Sequence, residues 1–130
     1  MSVKAVQAEL LAVLRPGQLT DDPDQLKVYG HDESDMGDFA PQLVVFAEST
    51  ADVQRVFQIA FAHGVAVTPV AARSGKSGGS LALEGGVSLS LERMNQILSM
   101  HPEDLTAVVQ PGVITGDLMK AADAAGLFYP

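Results

Sequence analysis

Val3, Val6, Leu10, Leu11, Val13 and Leu14 recur at close to helical spacing and predict an amphipathic helix over residues 3–14. Pro16-Gly17 ends it. Asp22-Pro23 predicts a second, short helix with Asp as cap and Pro in its first turn. Residues 30–42 hold Gly30, Gly37, Pro41 and four acids, and read as loop. Leu43 to Phe46 is a continuous apolar run, the pattern of a strand covered on both faces. Ser49 and Thr50 then offer caps, with Asp52 in the first turn that follows. Val53, Val56, Phe57, Ala60 and Phe61 fall on one helical face. His63 closes that helix and Gly64 supplies the left-handed residue after it. Val65 to Val70 is a second strand, so a βαβ unit with parallel strands is expected. Val87 to Leu91 alternates strictly, with Ser88 and Ser90 on its polar face. His101 to Asp104 reads as a turn before a strand from Thr106 to Gln110, which Pro111-Gly112 breaks. Thr115 is the expected cap of a last helix running to Ala125, with Gly126 as its terminating glycine.

Composition narrows the picture. The chain has 130 residues, enough for one domain with a real core. Eight Lys and Arg against sixteen Asp and Glu give a formal charge of -8, which argues against nucleic acid as a partner. Cysteine is absent, which excludes disulfides, thiolate catalysis and Cys-ligated metal centres. Seven of the sixteen acids lie between Asp21 and Asp38, a solvated acidic stretch. His31 stands among Asp32, Glu33 and Asp35, but the spacing matches no calcium loop and no metal site is assigned. His63 is expected to meet the helix dipole, and His101 to be a turn residue. Phe39, Phe46, Phe57, Phe61 and Met94 are expected in the core. No apolar run is long enough to span a membrane, and Met1 to Leu14 lacks the features of a secretion signal, so the cytoplasm is the expected compartment.

The candidate chemistry sits in Ala71-Ala72-Arg73-Ser74-Gly75-Lys76-Ser77-Gly78-Gly79-Ser80, which begins where the second strand of the βαβ unit ends. Small residues let backbone N–H groups converge on an anion, and Arg73 and Lys76 place two of the eight strong bases there. A phosphate or pyrophosphate cradle is one reading, and a flexible surface loop is the other. Gly75-Lys76-Ser77 ends like a P-loop, but position 70 is Val where that motif needs Gly, and Gly78-Gly79 opposes the helix that must follow. The dinucleotide pattern G-x-G-x-x-G fails too, because Arg73 stands at its first glycine.

Pro69 to Gly79, Leu81 to Leu91, Arg93-Met94-Asn95, Thr106 to Val113 and Gly126 to Pro130 together resemble the flavin domain of FAD-linked oxidases. This is the vanillyl-alcohol-oxidase or PCMH-type superfamily, and the likeness is to its glycolate oxidase and D-lactate dehydrogenase branch. The resemblance implies an α+β fold: an N-terminal βαβ subdomain and the start of a second, mainly antiparallel one. It divides the chain into a helical and acidic segment over residues 1–40 and a partial FAD-binding domain over residues 41–130. FAD would lie between the two subdomains, its pyrophosphate held by the loop that here includes Pro69, Ala71, Ala72, Arg73, Ser74, Gly75, Lys76, Ser77, Gly78 and Gly79. Gln110, Pro111, Gly112 and Val113 would line the same cleft.

The family loop often reads Pro-Arg-Gly-Ala-Gly-Thr, and Val70, Ala71 and Arg73 replace its Arg and two Gly. Arg73 is expected either to force a negative φ or to contact a phosphate as a bidentate donor. Loop amides turned to bulk water, or plugged by the guanidinium, would reduce the likeness to ancestry. Members with covalent flavin use a His at the position of Ser74, so FAD here is expected to be non-covalent. The substrate-holding residues of the family come from a C-terminal cap domain, so no catalytic residue is assigned. The chain ends on the apolar Leu127-Phe128-Tyr129-Pro130, which is expected to be buried in a full domain and to drive self-association when bare. Truncation is the expectation. The implied function is the FAD-binding part of an oxidoreductase that takes hydride from a D-2-hydroxy acid. A stand-alone nucleotide- or partner-binding half-domain, and a folded fragment that associates through a bare sheet edge, are the alternatives.

Overall fold

A computed structural model describes residues 2–130. The apolar run at Leu43–Phe46 (β2) is buried along its whole length. Beside it lies Val87–Ser90 (β4), also buried throughout, and then Val67–Val70 (β3) at the edge. These three strands are parallel, with Leu43 opposite Val87 and Val67 opposite the same residue. A short antiparallel strand, Leu19–Thr20 (β1), completes the order β1-β2-β4-β3. The βαβ expectation holds in direction, but β2 and β3 are not neighbours because β4 lies between them. Pro69 sits in the edge strand, where its missing N–H costs no ladder bond.

Alternation sorts the sheet's two faces. Leu43, Val45, Val87 and Leu89 join Val6 and Leu10 of helix Val3–Val13 (α1) and Val56 of helix Thr50–Ala62 (α3) in the larger core. Each such side chain contributes roughly 1.5–3 kcal/mol by leaving water. Val44, Phe46 and Val70 face the other way, under Tyr29 and Leu26 at the end of the short helix Pro23–Val28 (α2). Ser88 and Ser90 lie on this second face and are fully buried, so the alternation in β4 marks a covered central strand and not a half-solvated one.

The caps on α2 and α3 are those expected. Asp22 accepts from the amides of Asp24 and Gln25, and Ser49 accepts from that of Asp52. Gly64 is left-handed at φ +62, and His63 turns from the helix end to Glu9, 2.7 Å away. Phe57 and Phe61 depart from expectation at 44% and 88% exposure, and Phe39 is only half-buried. The stripe of α3 that meets α1 and the sheet is Val53, Val56, Ile59 and Ala60, and the two phenylalanines flank it.

The second unit is an antiparallel hairpin of Ile97–His101 (β5) and Thr106–Val109 (β6), joined by a 3-10 turn at Pro102–Asp104. Helix Thr115–Ala124 (α4) follows, ending at left-handed Gly126. Thr115 is not its cap: Ile114 holds that position, and no side chain bonds the first amides. Among the described residues no helix is long and apolar enough to cross a membrane.

Candidate functional site

Parallel strands deliver their following loops to one end of a sheet, and ligands of such sheets sit in the crevice there. Residue 71 follows β3 and residue 91 follows β4, so the small-residue loop and the Leu91–Met94 turn emerge side by side. Gly112 docks onto that turn, its amide donating to the Met94 carbonyl at 2.8 Å. Gln96 and Gln110 tie the same strip together, since the Gln110 amide reaches the Gln96 carbonyl and the Gln96 amide reaches Gln110 Oε1, each at 2.9 Å. Between the loop and the strip lies a cleft of about 400 Å³. Its walls are Ala71 to Ser74 on one side, Pro111 to Thr115 on the other, with Glu92 and Asn95 beneath.

The expected site residues therefore divide. Ala71, Ala72, Arg73, Ser74, Pro111, Gly112 and Val113 line the cleft. Pro69, Gly75, Lys76, Ser77, Gly78, Gly79 and Gln110 do not: Pro69 lies within β3, and the second half of the loop runs along the acidic segment. The Glu33 amide donates to the Gly75 carbonyl at 3.1 Å, and a Cβ on Gly78 would meet Met36 Sδ at 2.2 Å. Asp32 is the hub. Its carboxylate accepts from the Ser34 amide at 2.9 Å, the Ser34 hydroxyl at 2.5 Å and the Ser80 hydroxyl at 3.2 Å. The Ser34 bonds, aided by those from Ser80 and the Gly78 amide, hold its pKa below the usual carboxylate value. The stretch read as merely solvated is thus the frame of the Gly-rich loop.

Arg73 does not take the negative φ that was one of the two expectations for it. Its φ is +55, the left-handed region that a glycine takes freely and that costs another residue roughly 1–2 kcal/mol. Its guanidinium lies 4.5 Å from the centroid of the Tyr29 ring, and Nη1 is 3.8 Å from Glu92 Oε2. Tyr29 donates its hydroxyl proton to Glu92 Oε1 at 2.9 Å. Burial, reinforced by the Glu92 carboxylate, raises the Tyr29 pKa despite the opposing effects of Ser90 and Arg73. The side chain lines the cleft without filling it, and Nη1 is buried with no hydrogen-bond partner. Such an orphan donor costs roughly 1–3 kcal/mol unless a ligand supplies the acceptor.

Nearby, Arg93 stacks on Phe46 and bonds Glu48 at 2.9 Å and the Gly17 carbonyl at 3.2 Å, while Arg15 pairs with the same Glu48. This group braces the sheet end beside the cleft. Sequence reasoning did not find Tyr29, Asp32, Glu92 or Asn95. The signal for Glu92 was there: it lies two residues past the end of a central parallel strand, at the edge where ligands bind.

An α+β domain with a cleft beyond its parallel strands, a small-residue wall over residues 71–74 and a buried guanidinium N–H with no hydrogen-bond partner among the described residues fits the diphosphate part of a dinucleotide. The FAD binding domain family matches residues 41–130, and the chain belongs to it. The chain is 40% identical over 130 residues to D-2-hydroxyglutarate dehydrogenase of Stutzerimonas stutzeri (strain A1501), covering all of this chain and 28% of that protein. It is 36% identical over the same length to glycolate oxidase subunit GlcD of Bacillus subtilis (strain 168), again 28% of that protein. In three dimensions it superposes on substrate-bound p-cresol methylhydroxylase with a TM-score of 0.82 at 29% identity, covering 95% of this chain and 25% of that one. The fold is thus the PCMH type, and the chain spans about a fifth to just over a quarter of the curated relatives it matches.

Proposed function

We propose that this chain is the FAD-binding portion, chiefly residues 41–130, of a cytoplasmic oxidoreductase that oxidises a D-2-hydroxy acid of the glycolate or D-lactate type. Bound FAD would supply the two-electron acceptor for the hydride leaving the substrate carbon. The residues of this chain bind and orient. Ala71 to Ser74 and Pro111 to Val113 hold the diphosphate between them; Pro69 and Gly75 to Gly79 shape the loop, which Asp32 braces. Ser74 carries a hydroxyl where covalent members carry histidine, so the flavin stays non-covalent. The family resemblance puts the substrate-holding residues in a cap domain, so these 130 residues by themselves are expected to bind flavin without turning over substrate. The exposed apolar side chains Phe61, Leu105 and Phe128 favour self-association, which light scattering reads directly.

The observation that carries this reading is the cleft itself, set beyond parallel strands between the two segments of the family resemblance. The test is the colour of the gene product. Purified from cells it should be yellow, show flavin absorption bands and release intact FAD on acid precipitation. A colourless protein whose melting temperature ignores added FAD would reject the assignment.

A further inference from the structure

Two unfavourable features meet on one residue. Arg73 holds a left-handed backbone, and its side chain, only 26% exposed, buries an N–H with no acceptor. Glycine at this position would remove both, and glycine is what the family resemblance places there. The Tyr29 ring supports the face of the guanidinium, and Glu92, itself tethered by the Tyr29 hydroxyl, stands 3.8 Å from the same Nη1, beyond hydrogen-bond reach. The unsatisfied Nη1 belongs to a side chain on the wall of the cleft, opposite Pro111 to Thr115.

We propose that Arg73 is a specificity-determining residue whose guanidinium donates to a phosphate oxygen of the ligand, with Tyr29 as the positioning residue that supports it and Glu92 as the carboxylate that holds it in the ligand's absence. This deepens the FAD reading and rests on it. The site thereby adds a side-chain cation to what small-residue loops do with backbone amides alone. A charge-assisted bond of this kind changes affinity by roughly 10- to 100-fold. Glu92 acts in the opposite sense, because its carboxylate competes with the phosphate for the same guanidinium.

The experiment is a set of titrations on the whole chain, following flavin fluorescence, with inorganic pyrophosphate as competitor. In the wild type, pyrophosphate should displace FAD. Arg73→Met and Arg73→Gly should each weaken FAD and pyrophosphate in parallel, by roughly 10- to 100-fold. Arg73→Gly should do so while melting no lower than the wild type, because it relieves the backbone. Glu92→Gln should tighten both ligands by a few-fold, a sign that a merely structural contact would not produce. Unchanged FAD affinity in Arg73→Gly, loss of FAD with pyrophosphate untouched, or weaker binding in Glu92→Gln would each overturn the proposal and leave FAD binding standing. A wild type that binds no FAD would overturn both.

Discussion

Gly112 is where packing and the cleft are most tightly coupled. A Cβ built on it would lie 2.2 Å from the Leu91 carbonyl oxygen, 2.8 Å from that of Met94 and 2.9 Å from Glu92 Cα, against 3.4 Å or more for ordinary contact. All three neighbours are backbone, so no side chain can swing aside. The Met94 carbonyl cannot retreat without losing the bond it accepts from the Gly112 amide. Alanine therefore has to push the Leu91–Met94 turn and the Pro111 strip apart by about 1 Å, an overpacking that costs roughly 1–3 kcal/mol. For a chain of this size that is a fall in melting temperature of roughly 4–12 °C, read by circular dichroism. Gly116, four residues on in α4, is the control: a Cβ there meets nothing within 4 Å. Gly116→Ala should stabilise by about 0.5–1 kcal/mol, because alanine loses less freedom in a helix. If Gly112→Ala melts within about 2 °C of the wild type, or if both substitutions shift it equally, the close approach described here is wrong.

Asp52→Ala should destabilise by roughly 1–3 kcal/mol in urea titrations. Gln18, only 1% exposed, donates to this carboxylate at 3.0 Å, and the Glu48 amide also donates to it at 3.0 Å. Asp32 has a depressed pKa in the folded chain, so its contribution is complete above the ordinary carboxylate value and is lost as pH falls through the lower folded one. Thermal melts below about pH 4 should show this loss, and Asp32→Asn should lack that component. The Tyr29 pKa is raised, chiefly by burial, so its contribution is intact below the ordinary phenol value and declines as pH climbs through the folded one. Denaturation above about pH 10 should reveal that decline in the wild type and not in Tyr29→Phe.

Helix α3 and the strands before and after it in sequence were legible because periodicity, caps and glycines agree there, at Ser49, His63 and Gly64, whereas the cap of α4 lies one residue before the expected Thr115. The cleft was legible through the likeness of two separate segments, 71–74 and 111–113, which folding brings face to face. What was not legible depends on pairing. Nothing local says that β4 inserts between β2 and β3, which puts Ser88 and Ser90 in the middle of the face that Tyr29 covers. Phe57 and Phe61 fall on a helical face by spacing, yet α1 covers only the stripe beside them. The acids at 32–38 look solvated one by one. Their part in shaping the Gly-rich loop needs Ser80 and Gly78, more than forty positions away.

The strand order also has a consequence for synthesis. When the ribosome has made residues through Val70, β2 and β3 both exist, but their final places are about 9.5 Å apart, two ladder spacings. Nothing made so far can bridge that gap. The nascent chain carries a vacant slot with two thirsty edges, open to any passing strand until Val87 to Ser90 emerges. The chain enters that strand through Gly86, left-handed and pressed against the Ala66 carbonyl, where no side chain would fit. Completing the sheet with its third parallel strand is what removes those edges.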